Sequence, residues 1–243
     1  MIAQAVDLWE GRAVSEWLRR WDLPELHILD STGSTNDVAR GLAERGAAAG
    51  TVVMAEHQTA GRGRLGRSWH DDPSMSLLFT VLLRPAPVDD AAPGTAPLRI
   101  GVAVASALRA CCSVDARLKW PNDVVCGDRK LAGILCEAAT GGPAGWIVAG
   151  IGINVRSSPH APPDVLETAT SLESECGPDS PLRGDVMSDV LAAIRPLFEH
   201  PLVPLTAAEL AGYVRIDALL GRPVSLAGHP GCQSGVARGV APD

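Results

Sequence analysis

The stretch Gln58–Trp69, QTAGRGRLGRSW, contains three glycines in the spacing G-x-G-x-x-G. In dinucleotide-binding folds this spacing opens a helix directly after a strand, because the pyrophosphate rests on the helix N-terminus. Here a β-rich run, residues 51–57, precedes the loop, but Pro73 and a second apolar strand, residues 74–83, follow it. No helix is available for a dinucleotide, and no G-K-[ST] ends the loop as a P-loop requires. The sequence therefore excludes both nucleotide-binding loops.

Strands and helices alternate along the chain, and some neighbouring strands form hairpins. The predicted strands are 27–30, 51–57, 74–83, 118–120, 124–126, 129–136 and 146–155, with short β segments after residue 221. The predicted helices are 6–21, 34–46, 98–112, 185–199 and 207–214, and the runs 85–97 and 157–181 are predicted surface loops. This order favours an α+β fold, a mixed and largely antiparallel sheet with packed helices, over a doubly wound parallel sheet.

Charge and composition limit the class of ligand. The chain has 46% hydrophobic and 20% charged residues, which is typical of a soluble protein with a core. Its formal net charge of −7 argues against a broadly basic surface for nucleic acid. The arginines of the glycine loop are therefore a local concentration on an acidic protein, a pattern that suits a small anionic ligand.

Cysteine usage and apolar runs indicate the cellular compartment. The six cysteines form no C-x-x-C pair and no zinc-type cluster with histidine, so reduced thiols are expected. The longest apolar run, residues 98–112, is interrupted by Arg99 and Arg109, and we expect it to be too short to span a bilayer. The sequence predicts a cytoplasmic protein without a membrane partner.

Four motifs in a fixed order resemble one family. They are STGSTND (31–37), AEHQTAGRGRLGRSW (55–69), KWPNDVVCGDRKLAGILCE (119–137) and VAGIGINV (148–155). Each alone is a weak signal, but together they resemble the catalytic domain of biotin protein ligases, also called biotin–[acetyl-CoA-carboxylase] ligases. The spacing of apolar residues predicts an N-terminal helix (1–24), which matches nothing specific in the family. The resemblance implies a catalytic domain (25–205) and a linker helix with a truncated C-terminal SH3-like domain (206–243).

The resemblance also implies an activity. Such a ligase joins biotin and ATP into biotinyl-AMP and transfers the biotinyl group to a lysine of a biotin carboxyl carrier protein domain. ATP with Mg²⁺ serves as co-substrate and activator, and biotin as substrate. No tightly bound prosthetic group is implied. The implied partner is the carrier domain of a carboxylase, with no DNA, and the implied assembly is a monomer or a homodimer.

Site residues follow from the motifs by the same resemblance. Lys130, Arg64 and Asp123 are the implied catalytic residues, with Asp123 also the implied Mg²⁺ ligand. A lysine is a mobile point charge that can follow charge as it develops where two anions meet. The implied biotin-binding residues are Ser34, Thr35, Asn36, Gln58, Gly61, Arg62, Gly63, Arg64, Lys130, Gly133 and Leu135. The implied ATP- and adenylate-binding residues are Arg62, Arg64, Arg67, Trp69, Asn122, Asp123, Lys130 and Asn154.

Several of these residues also have ordinary structural interpretations. Ser34 and Asp37 have capping-box spacing at a helix start, and Asn122 with Asp123 makes a satisfactory turn unaided. Trp120 is assigned to the core. The loop arginines are expected to lack partners until an anion arrives.

Two departures from the fullest family pattern leave alternatives open. Some members carry an N-terminal winged helix-turn-helix, whereas one helix precedes the motifs here, so no repressor function is expected. The chain ends at VARGVAPD, where a closing barrel would need further strands, which indicates a truncated chain or a degraded lid. A non-catalytic module that binds biotin or its adenylate is one alternative, and a lipoate–protein ligase is another.

Overall fold

A computed structural model describes residues 5–85, 92–139, 145–198, 205–226 and 233–241. Part of the predicted 85–97 loop, the end of the predicted helix 185–199 and Cys232 lie outside the described residues. The strands are β1 Leu8–Trp9, β2 Arg12–Ala13, β3 Leu26–Thr32, β4 Val52–Gln58, β5 Ser76–Leu83, β6 Ala116–Lys119, β7 Asp123–Cys126, β8 Arg129–Ala139, β9 Trp146–Asn154, β10 Pro223–Leu226 and β11 Gln233–Val236. The helices are α1 Val14–Arg20, α2 Thr35–Glu44, α3 Ala92–Cys112, α4 Pro163–Thr168, α5 Leu172–Cys176, α6 Arg183–Ile194 and α7 Ala207–Ile216.

Seven strands form the central sheet in the order β3-β4-β5-β9-β8-β7-β6. Only β3 and β4 run parallel, and every other neighbouring pair is antiparallel. The predicted α+β fold with a mixed, largely antiparallel sheet is confirmed. Neighbouring strands in sequence mostly pair in space, as hairpins do, and no doubly wound arrangement is present among the described residues.

The sheet has two faces of different character. Along β4, Val52 and Met54 pack into a large core, while Val53 and Ala55 pack into a smaller one beneath α2. This alternation is the two-residue period of a strand. The large core lies against α3 and α6, and the α2 face is only partly covered. The uncovered part of the α2 face is where a ligand can reach the sheet.

The N-terminal segment differs from the predicted helix 6–21. Residues Leu8–Ala13 form a tight two-stranded hairpin, and helix α1 begins only at Val14. The hairpin turns through Glu10 and Gly11, whose φ angles are 47° and 73°. A left-handed turn of this kind ends a helix, so the helical spacing of the apolar residues was misleading here.

That spacing reflects a cluster of three tryptophans. The rings of Trp9 and Trp17 meet edge-on with centroids 5.3 Å apart, and Trp17 stacks on Trp21 at 4.8 Å. Arg183 lies over the Trp9 ring and forms an ion pair with Glu56 at 3.0 Å. The N-terminal segment is therefore fixed to β4 and α6 by aromatic packing and a mostly buried ion pair.

Helix α3 begins earlier than predicted, at Ala92, with Pro97 inside it. The part Gly94–Cys112 is long and apolar enough to cross a membrane by length and composition, which corrects the expectation that the run is too short. Core helices pass the same test, and Ile100, Val104 and Leu108 are fully buried in the large core. The helix is therefore accounted for as a core helix.

The predicted loop 157–181 is partly wrong, because it contains α4 and α5. Ser171 caps α5 by accepting a hydrogen bond from the Ser174 backbone N–H at 3.2 Å. Short helices with serine caps are hard to distinguish from loops by composition, since serine and proline favour both.

The C-terminal segment contains α7 and a two-stranded antiparallel ribbon of β10 and β11. The link after α7 is joined to the sheet, because the Ala218 backbone N–H donates to the Leu118 carbonyl at 2.7 Å. The short β segments predicted after residue 221 are present. The division of the chain at residues 24 and 205 stays a prediction.

A glycine in α6 tests the packing of the tryptophan cluster. A Cβ on Gly184 would lie 2.5 Å from the Trp17 ring, so Gly184→Ala should lower the free energy of unfolding by about 1–3 kcal/mol. The matched control is Gly212→Ala in α7, where the nearest atom is 4.0 Å away and a helical alanine should gain up to about 1 kcal/mol. Urea unfolding of both variants measures the difference. Equal stability of the two would contradict the close packing.

Candidate functional site

A cavity of about 650 Å³ opens on the α2 face of the sheet. This volume is in the range of pockets that hold small molecules. Fourteen of the predicted site residues line it: Ser34, Thr35, Asn36, Gln58, Arg62, Gly63, Arg64, Arg67, Trp69, Asn122, Asp123, Lys130, Gly133 and Leu135. Their sequence separation spans a hundred residues, so the sheet order is what brings them together.

The floor of the cavity has no side chains at three positions. Gly133 on β8 faces Gly152 on β9 in the strand register, and Gly150 lies two residues before Gly152. A Cβ on Gly152 would be 2.5 Å from the Trp69 ring, and one on Gly150 would be 2.3 Å from an Asn36 amide oxygen. The absence of these side chains lets two cavity-lining side chains, those of Trp69 and Asn36, approach the sheet backbone closely.

One end of the cavity holds uncharged polar groups. The Gln58 amide oxygen accepts hydrogen bonds from the Thr35 backbone N–H at 2.8 Å and from its hydroxyl at 3.1 Å. The Thr80 hydroxyl, which was not predicted, lies 2.8 Å from the Thr35 hydroxyl and 2.7 Å from the Asn36 amide oxygen. Gln58 therefore accepts the hydrogen bond of a backbone N–H at the start of α2 that has no partner within the helix. Ser34 precedes the helix but makes no side-chain cap, so the predicted capping box with Asp37 is wrong.

A lysine and a carboxylate meet at another part of the wall. The Lys130 ammonium lies 2.7 Å from Asp123 Oδ1 and 5.3 Å from the centroid of the Trp69 ring. Asn122 fixes this turn to β8, because its side chain donates to the Ile134 carbonyl and its own carbonyl accepts from the Ile134 N–H, both at 2.9 Å. The ammonium is held at the wall of the cavity by one carboxylate.

Asp123 was the predicted Mg²⁺ ligand. Among the described residues no group of three histidine, cysteine or acidic side chains could hold a metal ion. Asp123 Oδ1 is already in contact with the Lys130 ammonium, and a bound cation would compete for the same oxygen. Mg²⁺ is commonly held by one or two carboxylates together with phosphates, so Asp123 as its ligand stays a prediction.

The three loop arginines differ from one another. The Arg62 guanidinium makes a two-bond pair with Asp37, at 2.7 and 2.9 Å. The expectation that all three lack partners is therefore wrong for Arg62, because a helix carboxylate reaches it. The guanidinium groups of Arg64 and Arg67 are exposed and make no hydrogen bond or ion pair with any residue that the structure describes.

Both ends of the glycine loop are fixed to the protein. The Trp69 backbone N–H donates to the Gly61 carbonyl at 2.9 Å, which closes the base of the loop. Beyond it, the buried Asp71 carboxylate lies 3.0 Å from His57 on β4. Burial raises the pKa of Asp71 above its ordinary value, while the contact with His57 lowers it. The contact between Asp71 and His57 thus fixes the C-terminal end of the loop to β4.

Two predicted site residues do not line the cavity. Gly61 is buried at the base of the loop. Asn154, at the end of β9, donates to the Lys130 carbonyl at 3.4 Å and to the Thr170 carbonyl at 3.0 Å. It therefore contacts the backbone of Lys130, and the structure does not place it against the cavity.

The structure adds lining residues that the prediction missed. Trp120, assigned to the core, is 48% exposed at the rim, so that assignment is wrong. Leu65 is 91% exposed at the tip of the loop, with a left-handed backbone at φ 56°. The further missed lining residues are Ser68, Leu78, Lys119, Pro121, Ile134, Gly150, Ile151 and Gly152. Lys119 and Pro121 lie within a quoted motif and could have been included, whereas Leu78 carries no signal in the sequence.

Comparison with known proteins fits this geometry. The sequence profile of the Biotin/lipoate A/B protein ligase family matches residues 28–154, just over half of the chain and all of the cavity-lining motifs. The chain belongs to this family. The predicted family resemblance is confirmed, and the family region begins in β3 and ends with β9.

Two curated relatives illustrate the relationship. The chain is 39% identical over 171 residues to the biotin–[acetyl-CoA-carboxylase] ligase of Mycobacterium tuberculosis, a match covering 69% of this chain and 61% of that protein. It is 37% identical over 156 residues to the bifunctional ligase/repressor BirA of Bacillus subtilis, covering 62% of this chain and 47% of that protein. The matched part is less than two thirds of the length of either relative.

A solved family structure has the same fold. The biotin protein ligase of Aquifex aeolicus in complex with biotin and ATP superposes with a TM-score of 0.75 at 30% identity. The superposition covers 90% of this chain and 89% of the Aquifex chain. The likeness therefore extends beyond the matched motifs to most of both chains.

The glycine floor can be tested with the ligands of the Aquifex structure as probes. Gly152→Ala should push the Trp69 ring away and weaken binding of biotin or ATP by roughly tenfold or more, since the rigid ring must move. Gly235→Ala on β11 is the control, because no atom lies within 4 Å of its added Cβ. Titration calorimetry on both variants gives the comparison. Unchanged affinities in a folded Gly152→Ala protein would show that the ligands do not need the floor.

Proposed function

We propose that this chain is an ATP-dependent biotin–protein ligase. It activates biotin to biotinyl-AMP and transfers the biotinyl group to a lysine of a biotin carboxyl carrier protein domain. The single observation that carries the proposal is the composition of the cavity. Uncharged donors and acceptors at one end, around Thr35 and Gln58, share one glycine floor with the cationic Lys130, Arg64 and Arg67.

Each part of the cavity suits a part of the substrates. The uncharged groups around Thr35 and Gln58 match a neutral cyclic urea, which both donates and accepts hydrogen bonds. The glycine floor admits a flat ring system close to the sheet. Trp69, next to Gly133 and Gly152, offers an aromatic face for the adenine.

The first chemical step brings two anions together. A carboxylate oxygen of biotin attacks the α-phosphorus of ATP, the bond to the β-phosphate oxygen breaks, and pyrophosphate leaves with the bonding electrons. Fixed positive charge near the attacked phosphorus lowers the barrier because negative charge grows there. Lys130 supplies that charge, and Asp123 orients its ammonium from 2.7 Å away. Arg64 and Arg67 neutralise the outer phosphates.

The second step transfers the biotinyl group. The carrier lysine attacks the mixed anhydride as a neutral amine, AMP leaves, and the amine proton passes to solvent. No side chain of the ligase becomes covalently attached. Mg²⁺ would neutralise the phosphates further, and we propose that it arrives with ATP and that Asp123, the one acidic side chain among the described lining residues, would contact it.

The proposal extends to the acceptor, the compartment and the assembly. The acceptor is a carboxylase carrier domain, the compartment is the cytoplasm, and the assembly is a monomer or a homodimer without DNA as a partner. Support for the acceptor comes from the Mycobacterium tuberculosis relative, whose name specifies acetyl-CoA carboxylase.

One assay distinguishes a biotin ligase from a lipoate ligase and from a non-catalytic binding module. The chain is mixed with ATP, Mg²⁺ and either biotin or lipoate, and pyrophosphate release is measured. A biotin ligase releases pyrophosphate with biotin alone, a lipoate ligase with lipoate, and a non-catalytic binding module with neither. Release with lipoate only, or no release at all, would contradict the proposal.

Replacing the lysine tests its assigned role. Lys130→Ala should slow adenylate formation by a hundredfold or more, about 3 kcal/mol of barrier, because a charge-assisted contact to growing charge is lost. Arg129→Ala is the matched control, since the neighbouring Arg129 is half-exposed and pairs with Glu175 outside the cavity. Rapid-quench measurement of biotinyl-AMP gives both rates. A folded Lys130→Ala protein with a near-normal rate would remove Lys130 from the mechanism.

A further inference from the structure

The glycine loop is held over the cavity by two carboxylates that the motifs do not assign. Arg62 Nη1 lies 2.7 Å from Asp37 Oδ2, and Nη2 lies 2.9 Å from Asp37 Oδ1. Nη2 is also 3.4 Å from Glu137 Oε2. Asp37 belongs to α2 and Glu137 to β8, so one guanidinium joins the loop to two separate elements. A planar fork with two parallel hydrogen bonds is the most specific contact that arginine makes.

Glu137 is itself held in place from the sheet. The Asn36 amide nitrogen donates to Glu137 Oε2 at 2.8 Å and to the Leu135 carbonyl at 3.2 Å. Asn36 is only 2% exposed, and the absent side chain of Gly150 leaves the space that its amide occupies. The carboxylate that meets Arg62 therefore has a fixed position, because a buried amide fixes it.

Anchoring Arg62 orients the rest of the loop. Arg62 pairs with Ser68 in an antiparallel bridge, and the Gly63 backbone N–H donates to the Arg67 carbonyl at 2.7 Å. The loop is thus a small closed ring of backbone bonds that moves as a unit. Fixing the Arg62 side chain sets where the tip, with Arg64, stands over the cavity.

Charge balance separates Arg62 from the other loop arginines. Two carboxylates lie within 3.4 Å of Arg62, and Asp37 also pairs with Arg40, so two guanidinium groups balance two carboxylates here. The Arg62 hydrogen bond is the main cause that lowers the pKa of Asp37 below its ordinary value, so this carboxylate is ionised at neutral pH. The positive charge of Arg62 is therefore already compensated before a phosphate approaches. Arg64 and Arg67 have no carboxylate contact in the described residues, and they are the cations available to the phosphates.

We propose that Asp37 and Glu137 are positioning residues that hold Arg62 as the anchor of the glycine loop, so that the closed loop retains the adenylate. This proposal rests on the proposed function for its activity readout. Arg62 then acts by keeping the loop over the cavity, and Arg64 and Arg67 contact the anions. The anchor groups are about one third to one half exposed, so the anchor opens and closes readily and weakens as salt rises.

The test uses the double variant Asp37→Asn/Glu137→Gln, which keeps the shapes and removes both charges. Escape of biotinyl-AMP from the chain should become about tenfold faster, because charge-assisted bonds are replaced by weaker neutral ones. Adenylate formation at saturating ATP should change by less than about twofold, since Lys130 is untouched. Arg62→Lys should reproduce the fast escape, because lysine cannot form the two-bond fork. Asp37→Glu keeps the carboxylate, so this variant should retain the adenylate nearly as well as the unaltered chain.

Arg40→Gln is the matched control. Arg40 pairs with Asp37 on the exposed side of α2 and makes no contact with the loop, so its loss should leave adenylate escape unchanged. A general loss of stability would lower adenylate formation as well as retention, and thermal unfolding of each variant detects it.

A different role of Asp37 and Glu137, in which they restrain a cation that binds phosphate, predicts a different result. If they restrain a phosphate-binding Arg62, the double variant will free that cation and lower KM for ATP. A lower KM for ATP, or adenylate retention equal to that of the unaltered chain, would overturn the proposal.

A second readout does not depend on activity. In the ligand-free protein, trypsin cleavage after Arg64 should be about tenfold faster in the double variant, because cleavage follows the population of the open loop. If the unaltered chain forms no adenylate, the proposed function fails, and the cleavage rates still decide whether the anchor exists. Equal cleavage of the two proteins would contradict the anchor.

Discussion

The site depends on the absence of side chains from two adjacent strands. Gly133 and Gly152 face each other on β8 and β9, and Gly150 continues the bare patch along β9. The two-residue period of a strand places all three glycines on the α2 face. They expose backbone there, where any other residue would fill the space with its side chain. Trp69 and Asn36 occupy part of that space at distances that a single methyl group would prevent. The cavity exists because these two strands carry no side chains at three positions of one face, while their opposite face packs into a continuous core.

The cationic side chains around the glycine floor differ in whether they contact a carboxylate. Asp123 orients the Lys130 ammonium at 2.7 Å, and the two carboxylates on Arg62 tie the loop to the protein. Among the arginines of the glycine loop, Arg64 and Arg67 have no carboxylate contact with the described residues. An acidic protein can thus bind polyanions at one place, because the cations that bind ligand are separated from those that hold structure.

The fold class and most strands could be predicted from the sequence, and fourteen of the sixteen predicted site residues line the cavity, because they lie in motifs with a strict period or a familiar order. The prediction missed what depends on long-range contacts. Asp37 has the spacing of a capping box, and only the folded chain shows that an arginine 25 residues away takes its carboxylate. Glu137 closes a quoted motif, yet its contact with Arg62 spans 75 residues. The sequence pattern does not distinguish the hairpin at Leu8–Ala13 from helix, because Trp9 continues the helical spacing of Trp17 and Trp21 although helix α1 begins only at Val14.

The central claim is that one chain joins biotin and ATP on the glycine floor and keeps the product. Rapid gel filtration after mixing the protein with biotin, ATP and Mg²⁺, followed by native mass spectrometry, measures it directly. The account predicts that each chain carries one biotinyl-AMP, and that adding a carrier domain converts it to AMP and biotinylated carrier. A chain that binds both ligands and yields no adenylate would contradict the account.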